Sequence, residues 1–190
     1  MIASDKTIKE LVRDFNMISP FVPESVNYIE GMGKVPSFGL SCAGYDVRLE
    51  RNFKLFCKPH MGKVIDILDF KEDDFCESFT ADSIIIPPGG LLLGNTVEYF
   101  KMPTNVLGTC VGKSTWARLG GSVLVTPLEP GWEGQLVVEI TNGTNHPLKI
   151  YAGVGVAQIQ FALLDQEPDM PYNSRNGKYQ GQRGVQRSIL

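Results

Sequence analysis

Histidine and cysteine are scarce, and the four cysteines, Cys42, Cys57, Cys76 and Cys110, contain no C-x-x-C spacing. With only His60 and His146 to join them, nothing reads as a structural zinc site or a disulfide framework. The H-x-E and P-C-x-x-C signatures of the zinc nucleobase deaminases are both missing. The histidines read as surface residues and the cysteines as small buried hydrophobes or free thiols. No run of about 18 apolar residues is present to span a membrane. The start, MIASDKTIKELVRDF, is charged and amphipathic and lacks the apolar centre of a signal peptide, so the expected location is cytoplasmic. Charge of one sign is also lacking. Eighteen basic against 21 acidic residues give a net charge of -3, which argues against a duplex-coating nucleic-acid binder but permits a local basic pocket.

What is present is a chain of 190 residues, enough for one domain with a real core. Ser4 or Asp5 is placed to cap a first helix with Ile8, Leu11, Val12 and Phe15 in one apolar stripe, and Pro20 and Pro23 then enforce an extended connection. Residues 1–20 form this helix and connection. From about Ser37 the chain becomes a series of short β-prone runs split by Gly, Pro and Asn: 45–49, 52–57, 83–86, 91–95, 97–102, 106–111, 122–125, 135–141, 148–151 and 156–163. That rhythm predicts a mainly β domain, a barrel or jelly-roll-like fold with an N-terminal helix. Pro87-Pro88-Gly89-Gly90 predicts a tight turn, and the acidic stretch 66–77 is open between a short helix and a loop.

The most informative stretch runs from Gly112 to Asn142. It opens with GKSTWARLG, where Lys113, Ser114, Thr115 and Arg118 offer cations and hydroxyls to a phosphate. A P-loop is excluded because Leu107 stands where its first glycine belongs, and Gly120-Gly121 close behind Arg118 disfavour a helix. The stretch closes with LEPGWEGQLVVEITN, in which Leu136, Val138 and Ile140 share one strand face and Val137, Glu139 and Thr141 the other. Alternation alone leaves Glu139 open between a polar solvent face and a catalytic carboxylate. Trp116 and Trp132 flank the stretch, and each is open between interface packing and base stacking. Residues 171–190 carry Arg175, Lys178, Arg183 and Arg187 and no acid, which fits either a disordered tail or a lid over an anionic ligand.

SCAGYDVRL, VEYFKMP, GKSTWARLG, TPLEPGWEGQLVVEITN, AGVGVAQIQF and GKYQGQRG stand in order over roughly residues 38 to 184, and together they resemble the dCTP deaminase branch of the trimeric dUTPase-like superfamily. The resemblance implies a single domain, 1–190, with a distorted β-barrel fold, a homotrimer with active sites between subunits, and a tail, 171–190, that acts as a phosphate lid. It implies hydrolysis of dCTP to dUTP and ammonia, supplying dUTP and dUMP for thymidylate synthesis, with no metal needed to activate water and Mg2+ accompanying the triphosphate. Carried over residue by residue, Glu139 is the proton shuttle, Ser114 holds the attacking water with a carbonyl near Thr126 or Pro127, and Arg118 binds phosphate or contacts Glu139. Lys113, Ser114, Thr115, Trp116, Ala117 and Arg118 form the loop that meets the nucleotide. The main chain at Val137 and Val138 reads the cytosine edge. Gln158, Tyr172, Lys178 and Gln182 complete the nucleotide contacts, and dTTP or dUTP is a candidate feedback ligand.

Three positions depart from the family pattern: Val154 replaces a common glutamate, Gly121 a β-branched residue or leucine, and Glu129 stands where another subgroup has aspartate before Pro-Gly. Alternatives stay open at this point. A bifunctional enzyme giving dUMP would need a further carboxylate, for which Asp46 and Glu129 are available. A dCMP-acting variant, a plain dUTPase and a non-catalytic nucleotide-binding protein on the same fold are the others.

Overall fold

Strand β4 shows how the sheet curls. A computed structural model describes residues 1–57 and 62–188; His60 lies outside the described residues. In chain order the elements are α1 (Asp5–Phe15), β1 (Ile18–Ser19), β2 (Ser25–Ile29), β3 (Gly33–Ser41), β4 (Gly44–Phe56), β5 (Cys76–Thr80), β6 (Ser83–Ile86), β7 (Leu91–Lys101) and β8 (Val106–Gly112). They continue with α2 (Ser114–Ala117), β9 (Gly121–Leu124), β10 (Glu133–Asn142), β11 (Leu148–Tyr151) and β12 (Gly155–Leu163). The first half of β4 pairs with β3 and β12, its second half with β5 and β7, and the register shifts between Leu49 and Phe53. One 13-residue strand thus passes between two parts of a ten-stranded antiparallel sheet, wrapping it into the expected distorted barrel. Two of the runs read separately in the sequence, 45–49 and 52–57, belong to this single bent strand.

Alternation fills the interior. Tyr45, Val47, Leu49 and Phe53 of β4 meet Val138 and Ile140 of β10 and Ile159 and Phe161 of β12, all at most 1% exposed. Fully burying such side chains stabilises by about 1.5–3 kcal/mol each. Charge shares this interior too: Glu98 is buried, accepts hydrogen bonds from the Arg48 backbone N–H and Nε at 3.0 and 2.8 Å, and desolvation still holds its carboxyl above the ordinary range.

The ends of the chain are tied to the barrel. Ala3 N–H donates to the Phe161 carbonyl and Leu163 N–H to that of Met1, extending β12. Helix α1 buries Ile8 and Leu11, but Phe15 is exposed, contrary to the expected stripe. The helix ends there because Asn16 takes the left-handed conformation, φ 53°, with its N–H on the Val12 carbonyl. Ser4 occupies the N-cap position without a side-chain capping bond.

Between β7 and β10 the ladder carries a bulge. Gln135 faces Tyr99 and Val137 faces Asn95, so Leu136 alone opposes Thr96, Val97 and Glu98. Side chains repair it. Thr96 Oγ1 accepts the Leu136 N–H at 2.9 Å and donates to the Glu98 carbonyl at 2.7 Å, while Gln135 Nε2 donates to the Thr96 carbonyl at 2.9 Å. The Pro87–Gly90 turn forms as expected, closed by Gly90 N–H on the Pro87 carbonyl with Gly89 at φ 69°.

Candidate active site

The buried face of β10, Leu136, Val138 and Ile140, obliges Val137 and Glu139 to point the other way, and both line a cleft of about 740 Å³ that Leu136, beside the bulge, also reaches. Glu139 sits between Leu93 of β7 and Leu124 of β9, flanked by strands on both sides. Burial raises its carboxyl pKa above the ordinary value. The Cys110 thiol on β8 is pushed up to about 12, first by burial and then by the Glu139 charge, so it stays a thiol. Part of the cleft wall is apolar: Phe56, Ile65, Ile67 and Phe70 line it, and Phe70 stacks between Phe56 and Phe75 at 6.3 and 5.7 Å. Glu72, a residue of the 3-10 turn Glu72–Asp74, also lines it and is held bidentately by Lys54 at 2.9 Å. The acidic stretch left open in the sequence therefore resolves into this turn followed by β5.

One edge of β10 is only partly covered. β9 pairs with Glu139–Asn142, and the tail bonds at Gln135, where Gln135 N–H donates to the Gln182 carbonyl at 2.9 Å. Between them, 136–138 have no strand partner on that side among the described residues. Alternation turns the Val137 peptide groups toward this gap.

The described part of the tail, 171–188, is bonded along the barrel. Trp132 Nε1 donates to the Tyr179 carbonyl at 2.9 Å, Gly181 N–H to the Glu133 carbonyl at 2.8 Å, and Tyr179 N–H to the Tyr172 hydroxyl at 3.1 Å. Arg175 pairs with Glu129, and the Arg183 guanidinium lies 4.5 Å from the centre of the Tyr99 ring. Tyr172, Tyr179, Gln182, Gln186, Arg187 and Ser188 line the same cleft as Glu139. Lys178 is exposed on the tail and does not line it.

The 113–118 loop lies elsewhere. Lys113 Nζ is 2.5 Å from Asp46 Oδ2 and 3.1 Å from Ser37 Oγ, and Gln158 Nε2 donates to Asp46 Oδ1 at 3.1 Å and to Ser41 Oγ at 3.2 Å. Asp46 thus binds together two residues singled out from sequence, Lys113 and Gln158, while being only 3% exposed itself. After Lys113 comes α2, a single helical turn where the two glycines led us to expect none; it is short enough to end before Gly120. Ser114, Thr115 and Ala117 are exposed on it, and Arg118 is exposed just after it. Trp116 is the exception: its ring is buried, with Nε1 donating to the Gly155 carbonyl at 2.9 Å, so its side chain packs the core. Trp132 is likewise buried and serves the tail. Val154 is buried in the core cluster, and a Cβ on Gly121 would lie 3.0 Å from Leu148 Cδ2.

Within one chain, then, Val137, Glu139, Tyr172 and Gln182 come together with Thr126 and Pro127, whereas residues 113–118 and Gln158 line no part of that cleft. Sequence reading missed the apolar wall, which had no motif to mark it, gave Gln135 no role although it stands within LEPGWEGQLVVEITN, and named Asp46 without its partners. Among the described residues no three His, Cys, Asp or Glu side chains cluster as a metal site, and no helix is long and apolar enough to cross a membrane.

Comparison with known proteins places the chain in a family. Residues 2–164 match the family model described as dCTP deaminase-like. The chain is 49% identical over 184 residues to dCTP deaminase of Pseudomonas syringae pv. tomato and 47% identical to that of Burkholderia mallei, in each case covering 97% of this chain and 96% of the relative. The crystal structure of 2'-deoxycytidine 5'-triphosphate deaminase from Agrobacterium tumefaciens shares the fold, with a TM-score of 0.62 at 19% identity over 85% of this chain. This chain spans 48% of the length of that one. The chain belongs to the dCTP deaminase-like family of enzymes.

Proposed function

We propose that the chain hydrolyses dCTP to dUTP and ammonia, with Glu139 moving the protons. The observation that carries this is a carboxyl of raised pKa in an apolar-walled cleft beside an unpaired strand edge. A water must lose a proton as its oxygen bonds to C4 of cytosine, and N3 must gain one. The C4–N4 bond then breaks with a further proton delivered to nitrogen, so ammonia leaves and the carbonyl of uracil remains. One carboxylate that accepts and returns a proton without large driving-force mismatch performs these transfers in turn. The free peptide groups at Val137 suit the donor and acceptor edge of the base, and Arg187, the tail cation that lines the cleft, suits the phosphates.

Ser114 and Arg118 belong to the same site under this reading, contributed by a neighbouring copy. Support comes from their exposure on and just after α2 and from their absence from the Glu139 cleft of their own chain. A homotrimer with sites between subunits accommodates both facts. Loss of the Ser114 hydroxyl, as one preorganised contact to the water, costs about 3 kcal/mol of barrier. Magnesium enters as part of the substrate, held by triphosphate oxygens, and dUTP or dTTP fits the same cleft as a feedback ligand. The two acids available for a second, diphosphatase step are both engaged, Asp46 by Lys113 and Gln158 and Glu129 by Arg175, which favours the simple deaminase.

The test is incubation of the purified protein with dCTP and magnesium, following ammonia and resolving dUTP, dUMP and pyrophosphate, with Glu139→Gln as control. Ammonia with dUTP, lost in the variant, is the expected result. Ammonia with dUMP and pyrophosphate establishes the bifunctional form, and no ammonia from dCTP overturns the proposal.

A further inference from the structure

Gln135 is 8% exposed and all four of its polar groups are used. Its N–H donates to the Gln182 carbonyl at 2.9 Å and its carbonyl accepts Gln182 Nε2 at 2.7 Å. Its side-chain Oε1 accepts the Gly184 N–H at 2.9 Å, and its Nε2 donates to the Thr96 carbonyl at 2.9 Å. Three bonds therefore go to the tail and one goes into the bulge of β7. The Thr96 carbonyl also takes Asn95 Nδ2 at 3.2 Å, so the bulge offers the Gln135 amide a fixed acceptor. Anchoring the nitrogen end there turns the oxygen end toward Gly184. A side chain with a donor at one terminus and an acceptor at the other is required; a carboxylate fails at Thr96 and an apolar side chain fails at both.

The stretch fastened in this way carries the cleft. Gln182 lines it directly, and Gln186, Arg187 and Ser188, just beyond Gly184, line it too, whereas Gln135 does not. We infer that Gln135 is a positioning residue for the reaction: it pins residues 182–184 along the edge of β10 and so sets Gln182 and 186–188 over the Glu139 cleft. Its kinetic consequence rests on the deaminase reading; its mechanical consequence does not. Losing the side-chain bonds loosens the cover over bound nucleotide while leaving Glu139 in place. The Michaelis constant for dCTP rises about fivefold to tenfold while kcat stays within about threefold.

The experiment uses Gln135→Met, which keeps chain length and removes both side-chain bonds, in the full chain and in a chain ending at Arg183, which lacks the Gly184 amide. Trypsin cleavage at Arg175, Lys178, Arg183 and Arg187 is timed without nucleotide, and kcat and KM are read by ammonia release. In the full chain the substitution is expected to speed tail cleavage about tenfold and to raise KM selectively. In the shortened chain it is expected to add little to KM, because its side-chain bond to the tail, from Gly184, is already gone and the remaining one, to Thr96, does not reach the tail. Equal KM increases in both chains, or unchanged tail cleavage, overturn the inference. Should Gln135→Met fail to fold, amide exchange of the unaltered protein decides: Gly184 N–H is expected to be protected, and exchange at the open-chain rate overturns the inference. A native chain that releases no ammonia from dCTP sinks the deaminase reading alone, since cleavage and exchange still report on the fastening.

Discussion

Lys113 Nζ lies 2.5 Å from Asp46 Oδ2, and this buried ion pair fixes the start of α2 to β4. Ser37 and Gln158 share the same carboxylate, so Asp46 holds the origin of the loop from three sides. Asp46→Asn keeps the shape but presents an amide donor to a cation. Replacing this charged hydrogen bond is expected to destabilise by about 2 kcal/mol in urea unfolding. It is also expected to free Lys113 and with it Ser114 and Arg118, so that dCTP turnover falls more than stability alone explains. A variant with native stability and native turnover removes Asp46 from the support of the loop.

Glu139 makes a pH-dependent prediction of definite sign. Its carboxyl is raised above 4.5 by burial, so between 4.5 and the raised value the folded chain binds more protons than the unfolded one. Stability then falls as pH rises through that window, because ionisation is harder in the folded cleft. Glu139→Gln cannot ionise. It is expected to match the native protein below pH 4.5 and to be the more stable of the two at pH 7, while deamination falls about 10²–10⁴-fold. Thermal unfolding at the two pH values checks the first part, ammonia release the second. A variant less stable than native at pH 7 would mean that the cleft holds the carboxylate favourably. The acid limb of kcat/KM is expected above the ordinary carboxylate range for the same reason.

The strands that alternate cleanly between Gly and Pro punctuation were legible in sequence: β6 and β11 fall on 83–86 and 148–151, and β10 carries the apolar face that its alternation predicts. β2 and β3 were not, because Pro36 and Gly39 interrupt the apolar pattern of β3 and β2 is mostly exposed. The turn at Glu72–Asp74 was hidden by its acidic composition. At the site, GKSTWAR and VVE marked two groups of residues, but a one-dimensional pattern says nothing of their separation within a single chain. The role of Gln135 was illegible for a different reason. It arises from a bulge on β7 and a tail about fifty residues later, neither of which imposes a local signature at position 135.

The Arg48–Glu98 pair predicts a large stability effect remote from the cleft. Glu98 is fully buried and Arg48 side-chain exposure is 17%, with the guanidinium also 4.7 Å from the Phe38 ring centre. Desolvation is the largest influence on Glu98, and Arg48 opposes it. Arg48→Met leaves a buried carboxylate without its cation, expected to cost about 3–5 kcal/mol at neutral pH. The missing guanidinium raises the Glu98 pKa further, so the gap between native and variant should widen as pH rises and narrow in acid, where the carboxyl is neutral in both. Urea unfolding across the pH range tests this; a gap independent of pH would assign the loss to packing against Phe38.

A site shared between copies makes two inactive variants complement each other. Glu139→Gln keeps a native 113–118 loop, and Arg118→Ala keeps a native cleft, so neither is expected to deaminate dCTP alone. In a trimer assembled from both, a site works wherever the cleft comes from an Arg118→Ala chain and the loop from its Glu139→Gln neighbour. Random assembly from equal amounts gives about one quarter working sites, since each of the two contributors is the required one half the time. Co-refolding the two, or co-expressing them, is expected to restore about a quarter of native ammonia release. Recovery requires subunit exchange, so separately folded trimers mixed and assayed at once remain inactive. A co-assembled preparation without activity would place Arg118 and Glu139 in one chain's site, and the exposure of α2 would then need a different purpose.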